Sequence, residues 1–498
     1  MKAKQVGLSK SRIIAHQQCP RRLWLEVNRR DLLPPVDPAT QARFDAGHEV
    51  GRIAQELHRD GILIDVDNLS QAIKDTANAL KGDPRPIFEA TFSADNVLVS
   101  ADLLLPDGNG YRLVEVKSST SVKDYHKEDA SIQGWVLAQN GMKLSSIEIA
   151  HVDTDFCYHG DGDYNGLLKY EDITIEAQAN YSDVPVWIAA AKATLAGTMP
   201  LVEPGECCQK PFACPFRDYC TPPHAEGGFP LGILPNGGKV VAGLEAKGFH
   251  DLREVPEGEL TNAKHERVRK ACVTGVEYLD PEAAKIILAL PYPRYYLDFE
   301  SIQFVVPLWA DTHPYDQIPF QWSCHIETAP GKFDHDQFLT QYATDPRRAF
   351  TESLIRVLGS EGPIIVFNAA FERTRMKEMG ELFPDLAPAM NSAIDRLFDL
   401  LPVARSHYYH PEMRGSWSIK AILKSIAPEL DYKELMVGDG NLAMDAFRKL
   451  ISPTTSALDR EETRNALLEY CKRDTYAMVV VANHLAGAKY IQSGTGPT

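Results

Sequence analysis

The chain of 498 residues has no long hydrophobic run: apolar stretches such as Met478 to Ala482 stop far short of the ~20 residues that span a bilayer. A membrane-spanning role is therefore not expected. The first residues, MKAKQVGLSKSR, lack the apolar centre of a signal peptide, so the expected location is the cytoplasm. Cysteines are few, nine in all, and odd in number, which without an export signal argues against a disulfide framework. Metal or cluster ligation becomes the question. An overall positive charge is also missing, since the formal charge is −16, and a uniformly nucleic-acid-binding surface is excluded. What remains is an ordinary globular composition, with 44% hydrophobic and 24% charged residues, long enough for two large domains or about three smaller ones.

The charge is unevenly spread. Residues 1–30 hold eight Lys or Arg, from Lys2 and Lys4 to Arg29 and Arg30, against the single acid Glu26, so this end can face phosphate or form a solvated helix face. Residues 221–238 contain nine Pro or Gly in eighteen positions and mark a boundary. The pattern predicts a first domain over 1–225, a linker and small helical connector over 226–290, a second domain over 291–490 and a flexible tail over 491–498.

In the first domain, NVLVSADLLL and YRLVEVK are β-rich runs joined by PDGNG, which predicts a hairpin with a tight turn. Glu115 and Lys117 leave one face of the second strand, and antiparallel pairing can bring Asp102 beside them. Two carboxylates so placed can hold Mg²⁺ or Mn²⁺, which lowers the pKa of a bound water, while the lysine orients it or stabilises developing phosphorane charge. An isolated Glu-x-Lys triplet is equally compatible with a surface hairpin.

Its surroundings narrow the choice. Gly47-His48 on a predicted helix, then Asp102, then Glu115-Val116-Lys117, then a helix carrying Gln133 together resemble the PD-(D/E)xK nucleases of the RecB type over roughly residues 1–225. The resemblance implies that His48, Asp102 and Glu115 bind metal, that Lys117 is catalytic and that Gln133 supports the site. Where that family often places a tyrosine four positions after the glutamine, this chain has Leu137.

Cys207, Cys208, Cys214 and Cys220 lie within fourteen residues, and Cys19 precedes the nuclease motifs. One early cysteine with a late triplet resembles the iron-sulfur staple of AddB and CRISPR-associated RecB-like nucleases, implying a 4Fe-4S cluster on Cys19, Cys208, Cys214 and Cys220. Cys208 rather than Cys207 keeps the five-residue spacing. Zinc is the rival, although structural zinc sites usually use closely spaced pairs. Pro20 is expected to end the first helix at Cys19.

In the second domain, RYYLDFESI puts Asp298 and Glu300 on one face of a strand. PIIVFNAAFERTRM reads as a strand entering a helix with Asn368 and Glu372 at the transition, and Tyr470 and Asp474 lie one helical turn apart after a start capped by Asp459. Four carboxylates from separate elements suit two divalent ions about 3.5–4 Å apart, with the tyrosine positioning water. This order resembles the DEDD exonucleases of the RNase H-like superfamily in the variant that uses tyrosine. That family usually has aspartate where Glu372 stands, and Asp399 is the competing acid. Between these motifs, RSHYYHPEMRGSWSIK interleaves rings with Arg405, Arg414 and Lys420; bases could stack on the rings while the cations meet phosphates, although such an aromatic cluster more often serves packing.

The fold class expected is therefore α/β, a restriction-endonuclease-like PD-(D/E)xK domain plus an RNase H-like mixed-sheet domain. Both halves together, including PFQWSCH, are similar to a bacterial family that fuses these two nucleases. The expectation is a metal-dependent nuclease acting on single-stranded or frayed DNA, in repair or defence against foreign DNA, with a 3′–5′ exonuclease centre. RNA processing and a non-cutting nucleic-acid scaffold are the alternatives.

Overall fold

The computed structural model describes residues 7–221 and 227–488. Lys2, Lys4, positions 222–226 of the Pro/Gly boundary and the tail expected at 491–498 lie outside the described residues. The chain is mixed α/β and divides into two compact units, Met1–Pro223 with Phe304–Asp316, and His224–Gln303 with Gln317–Thr498. Among the described residues no helix is long and apolar enough to cross a membrane.

The first unit is built on a seven-stranded sheet of β1 (Leu8–Ser9), β2 (Ile62–Leu63), β3 (Ile87–Ala94), β4 (Val97–Asp107), β5 (Gly110–Lys117), β6 (Leu144–Val152) and β7 (Leu168–Asp172). Its order is β2-β3-β4-β5-β6-β7, with β1 parallel to β4. Helices α1 (Lys10–Gln18), α2 (Pro20–Asn28), α3 (Pro38–Glu56), α4 (Leu69–Ala79) and α5 (Asp124–Gln139) surround it. Ser9 caps α1 by accepting from the Arg12 N–H, and Pro20 opens α2 directly after Cys19, so the cysteine sits at the junction. The β4–β5 pair is the expected hairpin: Asp107 pairs with Gly110 across a two-residue turn in which Gly108 has φ +53°. The pairing runs from Asp107 with Gly110 to Leu103 with Val114, and Asp102 and Glu115 are the next residues on the two strands. β5 and β6 are parallel, and α5 supplies the crossover. Gly134 lets that helix lie close, because a Cβ there would come within 2.7 Å of Ile147 on β6.

One part of this core comes from far along the chain. Val305 and Val306 pack with Val50, Ile53, Phe88 and Leu103, and the Tyr164 hydroxyl donates to the Pro307 carbonyl at 3.1 Å. The segment Phe304–Asp316 is thus an excursion from the second half into the first unit.

The second unit has a five-stranded sheet, ordered β11-β10-β9-β12-β13, and a small pair β14-β8. These strands are β8 (Tyr278–Leu279), β9 (Arg294–Ile302), β10 (Ile318–Ala329), β11 (Lys332–Leu339), β12 (Ile364–Val366), β13 (Leu397–Asp399) and β14 (Tyr408–Tyr409). β9, β10 and β11 are antiparallel, whereas β12 joins β9 and β13 in parallel. The helices Gly238–Ala246, Ala263–Thr274 and Glu282–Leu288, expected as a connector, lie in this unit and share a core with the long helix Ala457–Leu485 through Leu244, Val268, Ile287, Met478 and Val481.

One local expectation is corrected and one open alternative is resolved. The long helix is capped by Ser456, whose hydroxyl accepts from the Asp459 N–H at 3.1 Å, so Asp459 stands in the first turn. Tyr408, Tyr409 and Trp417 are buried in the core, and the Trp417 indole donates to the Tyr408 carbonyl at 2.9 Å. Their aromatic faces belong to packing, leaving Arg405 and Arg414 exposed around them.

Candidate functional site

In the first unit the strand period and the helix period converge on one buried carboxylate. Glu115, 2% exposed on β5, accepts the Lys117 ammonium at 2.6 Å and the Lys10 ammonium at 2.7 Å on one oxygen, and the Gln133 amide at 2.5 Å on the other. Lys117 also reaches Asp129 at 2.9 Å. Asp102 on β4 accepts the Val116 N–H at 2.7 Å, which fixes it beside the same group. The structure thus brings together Asp102, Glu115, Lys117 and Gln133. His48 is exposed on α3, and Glu89 feels its charge.

The electrostatics separate the two acids. Burial would raise Glu115, but Lys10 and Lys117 overcome it and hold the carboxyl well below its ordinary range. Asp102 is buried beside the Glu115 charge and is pushed up to about 8. A cation bound beside it would favour its ionised form.

Three neighbours were not singled out from sequence as parts of this site. Lys10 lies one residue after the Ser9 cap, and only its place in the basic first 30 residues marked it. Asp129 precedes Gln133 by one helical turn on α5, a spacing that could have found it. Glu89 sits on β3 with φ +55°, a strained backbone for a non-glycine residue, and burial raises its carboxyl.

In the second unit four carboxylates meet. Asp298 and Glu300 come from β9, Glu372 from the helix Ala370–Leu382 that follows β12, and Asp474 from the long helix. Glu300, Glu372 and Asp474 are 8%, 3% and 6% exposed. Asp298, Glu300 and the thiol of Cys471 have ligand atoms within 4.8 Å of one another, a set that includes a cysteine sequence reasoning passed over. Burial raises Asp298 well above the carboxylate range, with Asp474, Glu300 and Glu372 adding repulsion. Glu300 is pushed up to about 8 by burial and Asp474, and Glu372 to about 8 by burial and Asp399.

Glu372 and Asp399 are distinguished by their hydrogen bonds. Asp399 caps the helix Leu400–His407, and its two oxygens accept the N–H groups of Leu401, Asn368 and Ala369 at 3.0–3.1 Å. Those oxygens hold the β12 turn, where Asn368 has φ +78°. One oxygen of Glu372 is buried without any partner. Glu372 is therefore the acid available to a ligand.

Tyr470, 4% exposed, lies against Glu300, Asp474 and Asp298. Tyr432 donates to Asp474 at 2.5 Å, and the Lys420 ammonium lies 3.4 Å from the Tyr470 hydroxyl. Lys420, expected as a phosphate contact, is thereby a cation beside this acid cluster, felt by Glu300 and Asp474, and Tyr432 is a new member.

The raised acids have a measurable consequence. Glu300 and Glu372 titrate near 8 when folded and near the ordinary glutamate value when unfolded, so folding favours the protonated form. Their contribution is fully present below about pH 4.5 and is lost as pH rises towards 8. In EDTA, the second unit should melt several degrees lower at pH 8.5 than at pH 6. Glu372→Gln should reduce that difference and added Mn²⁺ should close it, as thermal melts would show.

The late cysteines form the third group. Cys19, Cys207, Cys208, Cys214 and Cys220 line one pocket with Arg21 and Arg22. Gln18, at the end of α1, donates to the Cys207 and Phe212 carbonyls, both at 2.7 Å, and ties the early helix to the late loop. Burial raises Cys214 and Cys220, and both feel Cys19 and Cys208. Cys207 also lies beside Cys19 and Cys208.

Residues 295–418 match DUF2779, a domain of unknown function. The matched span starts in β9 and contains Asp298, Glu300 and Glu372, but stops before Lys420, Tyr470 and Asp474. An uncharacterized protein of Ureaplasma parvum serovar 3 is 28% identical over 222 residues, covering 40% of this chain and 32% of that protein. An uncharacterized protein of Mycoplasma genitalium is 24% identical over 212 residues, covering 38% and 31%. The matches span about a third of the length of these curated relatives. No solved structure matches.

Proposed function

We propose that the chain is a metal-dependent nuclease with two centres, a PD-(D/E)xK type in the first unit and a DEDD-type, RNase H-like 3′–5′ exonuclease in the second. The observation that carries this is the meeting of four acids from three elements, Asp298 and Glu300 of β9, Glu372 of the helix after β12 and Asp474 of the long helix, in one group with Tyr470 beside it. Such a cluster is costly without cations, and the partnerless Glu372 oxygen fits a metal ligand.

Mg²⁺ or Mn²⁺, when bound at either centre, would bind phosphate oxygens and lower the pKa of water. The residues do the rest. Asp298, Glu300, Glu372 and Asp474 would hold the ions in the second centre; Tyr470 would orient the attacking water with its hydroxyl, and Tyr432 fixes Asp474. In the first centre, Asp102 and Glu115 would hold an ion, with His48 proposed as a further ligand; Gln133 fixes Glu115, and Lys117 places its ammonium where negative charge develops.

The five-thiol pocket fits a 4Fe-4S cluster on Cys19, Cys208, Cys214 and Cys220, a donor set stable in the reducing cytoplasm proposed as its location. Anaerobically purified protein should then be brown and contain about four irons per chain. One equivalent of zinc without iron would overturn the cluster.

The substrate proposed is single-stranded or frayed DNA, in repair or defence. Matched DNA and RNA oligonucleotides incubated with Mg²⁺ or Mn²⁺ test it. Metal-dependent shortening of DNA supports the proposal, preferential digestion of RNA replaces the substrate with RNA, and no cleavage of either leaves a binding scaffold.

A further inference from the structure

Outside both acid clusters and the thiol pocket, the described residues contain another group of metal-ligating side chains. Ligand atoms of Cys157, His159 and Asp311 lie within 4.8 Å of one another. Cys157 and His159 flank Tyr158, whose buried ring stacks on Tyr164 at 4.9 Å, so the two residues leave the opposite face of the extended chain. Asp311 comes from the excursion Phe304–Asp316.

The backbone holds this meeting in place. The Tyr158 N–H donates to the Thr312 carbonyl at 3.0 Å, and the Asp311 N–H donates back to the Tyr158 carbonyl at 2.8 Å. Gly160 has φ +86°, and a Cβ there would stand 3.1 Å from the Ala310 Cβ, so a larger residue would press the two segments apart. Asp311 itself has φ +56°. A thiol, an imidazole and a carboxylate on two different segments are thereby presented together.

We propose that Cys157, His159 and Asp311 form a zinc site that fastens the excursion to the first unit. Sulfur, nitrogen and oxygen donors in one set suit Zn²⁺ rather than Mg²⁺ or Ca²⁺, which take oxygen ligands. Zinc bond lengths of about 2.0–2.3 Å put tetrahedral ligand atoms roughly 3.3–3.8 Å apart, so side-chain adjustment completes the set. His159 and Asp311 are exposed, which leaves the fourth position to water. Binding releases the Cys157 thiol proton to solvent and leaves the sulfur as a zinc-bound thiolate.

The test follows Cys157 itself in the full chain. Iodoacetamide alkylation of the Cys157 peptide is measured by mass spectrometry in EDTA, in Zn²⁺ and in Mg²⁺. Zn²⁺ should slow alkylation by ~10-fold or more, because the metal occupies the nucleophilic sulfur, while Mg²⁺ should not. His159→Ala and Asp311→Ala, both at exposed positions, should each lose most of the protection. Zn²⁺ failing to slow alkylation of the parent, or protecting both variants as well as the parent, overturns the site. Neither nuclease centre contributes to this readout, so loss of those activities leaves it intact.

Discussion

Asp298→Asn is expected to abolish stepwise degradation from a free 3′ end, lowering the rate by ~10³-fold or more through loss of a metal-binding oxygen charge. Asp298 lies on β9 at the centre of the acid group, facing Asp474, Glu300 and Glu372. Asparagine keeps the shape and removes one of the mutually repelling carboxylates, so the metal-free protein should melt at the same temperature or higher while activity disappears. Asp474→Asn should copy the loss. Tyr470→Phe should be milder, since a positioning hydroxyl is typically worth ~10²–10⁴-fold and no ligand is removed. A labelled single strand with a free or blocked 3′ end separates these cases. If Asp298→Asn shortens the free end as fast as the parent, the second centre does not cut.

Lys117→Met is expected to remove cleavage by the first centre, by ~10²–10⁴-fold, while Asp102 and Glu115 stay in place. Lys117 is fixed by Glu115 on its own strand and by Asp129 on α5, both within 2.9 Å. Lys10 shares Glu115 but arrives from α1, so Lys10→Met should cost less activity and mainly destabilise the metal-free protein by leaving a buried carboxylate with one cation fewer. The double variant Lys117→Met with Asp298→Asn should not cut at all. Residual cutting by that variant would show that both centres are misplaced.

Residues were legible in the sequence where a short-range period sets the geometry. The two-residue strand repeat placed Glu115 with Lys117 and Asp298 with Glu300, and the Asp-Gly and Asn-Gly pairs gave the hairpin that adds Asp102. Gln133, inferred only from resemblance, turns out to donate directly to Glu115. Contacts made across the fold were not legible. Lys10, Glu89 and Tyr432 reach their sites from elements with no characteristic spacing to the acids, and the choice between Glu372 and Asp399 depended on which oxygens the backbone had taken. For Tyr408, Tyr409 and Trp417 stacking and packing stayed open in the sequence, because interleaved rings and cations look alike whether they stack bases or fill a core.

The path of Phe304–Asp316 also dictates an order of events during synthesis. At roughly 5–20 residues per second, a ribosome that has finished the sheet of the first unit at Asp172 needs about 7–27 more seconds before Val305 and Val306 are made to complete its core. Until then the nascent first unit has an unfilled apolar face at Val50, Ile53 and Phe88, which makes this interval the natural point of chaperone engagement and of aggregation. A gene cut at the Pro/Gly boundary would hold the N-terminal product in that incomplete state permanently, whereas a co-expressed C-terminal half could rescue it in trans by delivering the missing segment.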